Sequence, residues 1–163
     1  MTAAGRIEVD AHSLLVHVHA SKTLDALETE LAARGFTLGV ALDEAGATLA
    51  VGEWLARGAP GAPSQFADPA DHLVAGLDAT LPNGAKLEVR PGPRRAVGPD
   101  LTALLIGTHR RFGSIDGAWL RIHRRDARRP ALPLPAVDLD LPVTAQEARL
   151  VDAIQRELEP HDR

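Results

Sequence analysis

The sequence predicts an α+β fold, a mostly antiparallel sheet flanked by helices, and three observations carry that expectation. Residues 6–19 alternate apolar and polar around a polar turn, the pattern of two short strands. Residues 23–34 repeat leucine at helical spacing between a hydroxyl residue and a glycine. An Asn-Gly pair at 83–84 separates two apolar runs, the strongest short-range sign of a hairpin.

Taken in order, Ile7, Val9, Leu14, Val16 and Val18 oppose Glu8, Asp10, His17 and His19, with Asp10-Ala11-His12-Ser13 as the turn between two strands. His17 and His19 share one strand face, two residues apart, as a metal pair would. No third ligand is placed by the sequence, so a polar solvent face is expected there. The helix over 23–34 puts Leu24, Leu27 and Leu31 on one stripe, opened by Ser21 or Thr23 and closed by Gly35, and Phe36-Thr37-Leu38 follows as a strand. Within 47–61, Val51 to Arg57 reads as one turn of a core helix led by Gly52. Residues 71–81 read as a strand that turns at Pro82-Asn83-Gly84 and returns over 85–89. Asp71-His72 has the residue types of an acid/base pair, but no nucleophile is placed beside it and ordinary surface groups are expected.

The stretch from Gly98 to Leu120 is the most particular. Asp100 is suited to cap a helix whose Leu101, Leu104 and Leu105 recur at helical spacing, and Gly107 ends the run. A loop with Gly113 then leads into a strand over 114–122. Beyond it, Arg121, Arg124, Arg125, Arg128 and Arg129 cluster around His123. They suit a phosphate or an acidic partner, or else form a solvated basic linker, since no aromatic residues interleave as on a nucleic-acid platform. Residues 130–142 are proline-rich and extended, lying along a surface of this domain or of a partner. Thr144-Ala145-Gln146-Glu147 is a capping box, and its helix is expected to bury Leu150, Val151, Ile154 and Leu158. The organisation is thus an α+β domain over 1–125, a Pro/Arg-rich linker over 126–143 and an amphipathic C-terminal helix over 144–163.

Composition limits the function. A chain of 163 residues buries a real core without staples, and a formal net charge of −4 does not suggest a nucleic-acid protein, although sixteen of the eighteen basic residues are arginine. No cysteine means no disulfide framework, thiolate metal site or thiol nucleophile. No run of eighteen apolar residues occurs and the first residues lack the apolar core of a signal peptide, so a cytoplasmic protein without a membrane partner is expected.

Gly98, Asp100, Leu101, Leu104, Gly107, Gly113, Ile115, Ala118 and Leu120 follow in spacing a pattern of Gly-x-Asp-Leu, Leu, a glycine-rich loop and a hydrophobic strand. This resembles the last FAD-contacting segment of the vanillyl-alcohol-oxidase, or PCMH-type, flavoprotein fold, the family of glycolate oxidase subunits and D-lactate dehydrogenases. Gly52, Gly58 and Gly61 are similarly spaced to the family's Ala-Thr-Val-Gly-Gly segment, whose loop runs beside the flavin and its pyrophosphate. The resemblance spans roughly residues 7–124 and covers the second half of the FAD-binding domain only. It implies FAD as cofactor, with Gly52, Gly58, Gly61, Gly107, Thr108, Gly113 and Ile115 as its contacts. Two departures weaken that implication. Arg110 and Glu53 stand where the family has glycines that permit positive φ or close approach, and a carboxylate repels a diphosphate. FAD binding is therefore expected to be weak or lost.

No catalytic residue and no metal ligand is assigned. The resemblance then implies a non-catalytic subunit or interaction module related to FAD-dependent oxidoreductases, pairing as a homodimer or with a larger oxidoreductase subunit. The alternative is one half of a split FAD-dependent 2-hydroxy-acid oxidoreductase completed by a partner chain, and a third reading is a small-anion binder using the arginine cluster.

Overall fold

The computed structural model describes residues 7–62, 72–91, 101–126 and 144–160. Its centre is a five-stranded sheet in the order β1-β2-β6-β4-β5, built from β1 (Glu8–Asp10), β2 (Leu15–His19), β6 (Ser114–Arg121), β4 (Val74–Thr80) and β5 (Lys86–Val89). Every neighbouring pair is antiparallel. The α+β expectation is met, and the strand from the 98–120 stretch lies in the middle. It pairs Val16 with Leu120 on one side and Leu77 with Ala118 on the other.

Local chemistry sets the turns. Asp10 accepts from the backbone N–H groups of His12 and Ser13 at 2.9 and 3.0 Å, which closes the first hairpin. The second is not the two-residue turn that Asn-Gly alone favours. Pro82 has φ fixed near −65°, so the chain turns over 81–84 with Gly84 donating to Leu81 O at 2.9 Å, and only Gly84 is left-handed.

Helix α1 (Leu24–Ala32) has Thr23 as its N-cap and ends before Gly35 at φ 81°, as the sequence indicates. Leu24, Leu27 and Leu31 are fully buried against Val16, Val18, Leu77, Ala118, Leu120 and Ile122, one core between helix and sheet. Burying a leucine side chain contributes roughly 1.5–3 kcal/mol, so this stripe decides where α1 sits. A two-stranded sheet of β3 (Phe36–Thr37) and β7 (His123–Arg124) closes the end of that core. The short helix α2 (Glu44–Ala47) is capped by Asp43, and α3 (Val51–Ala56) buries Val51, Trp54 and Leu55.

Three expectations are corrected. Residues 101–107 are not an α-helix: Leu101–Leu104 is a single 3₁₀ turn followed by further turns, and Gly107 at φ 75° stops the apolar run too soon for a second turn. The C-terminal helix α4 (Ala145–Leu158) has its capping box, but it buries none of its residues. Leu150 is 61% exposed, and Val151, Ile154 and Leu158 are only partly covered. His17 is not on a solvent face but 6% exposed. Asp71, Asp100, Arg128, Arg129 and the proline-rich segment 130–142 lie outside the described residues.

Candidate functional site

Two of the glycines singled out in the sequence, Gly58 and Gly107, come together where the end of α3 meets the loop before β6. Leu55 O accepts from Gly58 N at 2.9 Å and from Gly107 N at 3.0 Å, and Ala56 O accepts from His109 N at 2.9 Å. Two loops distant in sequence are thereby tied backbone to backbone. Gly58 and Gly107 face each other, and a Cβ added at either would lie 3.5–3.6 Å from the other's Cα. Trp54 holds the outgoing loop, its indole N–H donating to Pro60 O at 2.9 Å.

The loop then makes a tight reversal. His109 and Arg110 both have positive φ, 51° and 64°, and Arg111 N donates to Thr108 O at 3.0 Å, the marks of a type I′ turn. Arg110 thus adopts the backbone conformation that glycine provides more cheaply, at roughly 1–2 kcal/mol for a side chain. Its guanidinium Nη2 meets Glu53 Oε2 at 2.8 Å, while Arg57 Nε donates to Glu53 Oε1 at 2.8 Å. Glu53 and Arg110, the two residues that stand where the resemblance led glycines to be expected, are therefore partners. The Arg57 hydrogen bond, opposed by burial and aided by the charges of Arg110, Arg57 and His109, holds the Glu53 carboxyl below its ordinary value. A surface ion pair is worth at most about 1 kcal/mol, less than the strain of two left-handed residues. The backbone bonds, not the ion pair, hold this turn.

A second polar group sits on the sheet face away from α1. His17 Nε2 and Asp78 Oδ2 are 2.8 Å apart, reaching from β2 and β4 across the intervening β6. They meet over Gly117, where a Cβ would lie 3.2 Å from both atoms, so a side chain there would push them apart. Trp119 packs on the imidazole with ring centroids 4.9 Å apart, which accounts for the burial of His17. Nearby, Asp116 Oδ2 accepts from Thr80 and Lys86 at 2.5 and 3.1 Å. The alternation of β2 showed that His17 opposes Val16 and Val18, but not that its face is covered. A lone glycine inside an apolar strand, Gly117, was the available sign.

Residues 1–90, more than half of the chain, match the family model described as FAD binding domain. The chain belongs to this FAD-binding domain family. Among solved structures it is similar to alkyldihydroxyacetonephosphate synthase in two crystal forms, at 21% and 22% identity and a TM-score of 0.59 in each. The match covers 73% of this chain and 21% of the synthase chain, so the chain spans about a fifth of that protein's length. At this identity the likeness shows the fold, the mixed, mostly antiparallel architecture of a PCMH-type FAD-binding domain fragment. The family match ends before the 98–120 stretch on which the sequence resemblance rested most heavily.

Against that membership, the placement of the seven residues expected to contact FAD is informative. Gly52 lies in α3 with its N–H on Ala20 O at 2.9 Å, and a Cβ there would come within 2.7 Å of Ala20 Cβ. Ile115, beside it, is a core residue 9% exposed. Gly58 and Gly107 donate to Leu55 O, and Gly113 N faces Arg110 O at 3.4 Å. The hydroxyl of Thr108 donates to Leu104 O and Leu105 O, and Gly61 packs against Ala41 O. The structure brings Gly58, Gly107 and Thr108 together and sets Gly52 against Ile115; Gly61 and Gly113 pack elsewhere. A phosphate cradle needs backbone N–H groups aimed outward at the ligand. Here those of Gly52, Gly58, Gly107 and Gly113 point at the chain's own carbonyls, so as placed these residues do not form one.

Among the described residues, no group of three or more His, Asp or Glu side chains is placed to hold a metal ion, and no helix is long and apolar enough to cross a membrane.

Proposed function

We propose that this member of the FAD-binding domain family is a cytoplasmic, non-catalytic subunit or interaction module related to FAD-dependent oxidoreductases of the glycolate oxidase and D-lactate dehydrogenase type. It works as a homodimer or with a larger oxidoreductase subunit, and FAD is held weakly or not at all by this chain. The observation that carries the reading is the inward direction of the glycine N–H groups: the fold is kept while the contacts a diphosphate would need are satisfied internally. The second reading is one half of a split FAD-dependent 2-hydroxy-acid oxidoreductase whose remaining lobe comes from a partner chain, and the family match supports its FAD-binding part alone.

The test is the visible absorption spectrum of the purified protein before and after FAD is added and the excess removed by gel filtration, with the elution volume recorded. A colourless protein eluting as a dimer, or together with an oxidoreductase subunit, supports the module. Flavin bands that co-elute with the chain move the reading to the split enzyme.

A further inference from the structure

Two explanations compete for how the glycine-bearing face would be closed to a cofactor. In one, the side chains of Glu53 and Arg110 block it, because a carboxylate and a bulky guanidinium stand where glycines are expected. In the other, the backbone closes it. The geometry separates them. The ion pair joins groups that are partly exposed, 31% for the Glu53 side chain and 59% for Arg110, on the outer side of α3 and its facing turn. Beneath it, Gly107 N, His109 N and Gly58 N already donate to Leu55 O and Ala56 O, and Gly58 and Gly107 lie so near that a Cβ on either would be in van der Waals contact with the other's Cα. Removing two exposed side chains leaves every one of those backbone bonds in place.

We infer that this face is closed to a diphosphate by its own backbone hydrogen bonds, and that restoring glycine at positions 53 and 110 does not reopen it. The inference deepens the module reading and rests on the same domain membership. The charge on Glu53 adds repulsion toward a phosphate, yet Arg57 and Arg110 each pair with one of its oxygens, so the local charge is net positive and electrostatics alone would not exclude an anion. What is missing is outward N–H groups, and these side-chain changes do not supply them.

The experiment uses the full chain, as wild type and as Glu53→Gly with Arg110→Gly, titrated with FAD and followed by flavin fluorescence quenching and anisotropy. Melting temperature is recorded with and without FAD. Both proteins are expected to leave FAD fluorescence unchanged and to show no FAD-dependent rise in melting temperature. Loss of the ion pair lowers the melting temperature by no more than about 4 °C. Saturable FAD binding by the double variant overturns the inference, since side chains would then have been the barrier, and saturable binding by the wild type at this face, abolished by Gly107→Val, overturns it too. Wild-type binding that survives Gly107→Val lies elsewhere and leaves this face closed as inferred. If the double glycine variant fails to fold, Glu53→Ala with Arg110→Ala asks the same question without adding backbone freedom. The module reading fails separately, when the colourless wild type elutes as a monomer with no oxidoreductase partner, a result that leaves this inference standing.

Discussion

Gly113→Ala distinguishes a glycine needed by the fold from one needed by a ligand. Gly113 has φ 146°, a region that side chains rarely adopt, and a Cβ there would lie 2.7 Å from Thr80 O. That carbonyl cannot retreat easily, because Thr80 pairs with Ser114 at the end of the β4–β6 ladder. Strain at such a φ costs about 1–3 kcal/mol and forcing atoms into filled space about 1–3 more, while the smaller freedom of alanine in the unfolded chain offsets about 0.4–1. The net is roughly 3 kcal/mol. Gly35→Ala is the control, since Gly35 has φ 81° but nothing within 4 Å of an added Cβ, leaving about 1 kcal/mol of strain alone. Urea unfolding without flavin, followed through buried Trp54, reads the difference. With m near about 2 kcal/mol/M, the Gly113 midpoint should fall about 1 M below that of Gly35→Ala. Midpoints within about 0.3 M of each other would refute the packing argument and return Gly113 to a ligand role.

Other outcomes follow from the same geometry. Asp78→Ala deprives the buried His17 Nε2 of its carboxylate partner and should cost about 1–2 kcal/mol in urea, with Trp119 fluorescence changing because that ring rests on His17. Thr144→Ala removes the side-chain half of the capping box, the bond from Glu147 N, and leaves the backbone N–H of residue 144 to the Glu147 carboxylate; it should lower helical circular dichroism at a cost of about 1 kcal/mol to α4, while the Trp54 transition stays where it is because α4 buries nothing. Glu53 is held below its ordinary value, so its contribution is complete above the usual glutamate range near about 4.3 and disappears as pH falls below it. The melting temperature of Glu53→Gln should therefore lie below that of wild type at pH 7 and converge on it as pH falls through the lowered folded-state value.

What the sequence made visible was local. The stripe of α1, its Thr23 cap and Gly35 stop, the first hairpin and the 82–84 turn are written in residues within one or two turns of each other, and the structure has them. The misses are contacts between distant residues. His17 looked exposed because alternation shows which way a side chain points and not whether other strands bring Trp119, from β6, and Asp78, from β4, against it. Glu53 and Arg110 each stood out as replacing a glycine, but their partnership spans 57 positions and depends on how α3 meets the later loop. The α4 stripe was read correctly as apolar and wrongly as buried, since periodicity tells that a face needs cover without supplying one.

The glycine spacing at 98–120 has a physical source that needs no cofactor. β6 enters the sheet between β2 and β4, so the chain before it passes the end of α3 at Gly107 and reaches the end of β4 at Gly113 within a few residues. Gly107 supplies a positive φ beside Gly58, Gly113 permits close approach to Thr80, and Gly117 leaves room for His17 and Asp78 to meet. Each of these spaces is filled by the chain itself. A glycine pattern that resembles one in flavoproteins is therefore required by the route of the backbone as readily as by a bound dinucleotide, and the direction of the N–H groups is the feature that separates the two. In this chain the N–H groups of Gly52, Gly58, Gly107 and Gly113 point at its own carbonyls, so the glycine pattern does not, by itself, locate a flavin.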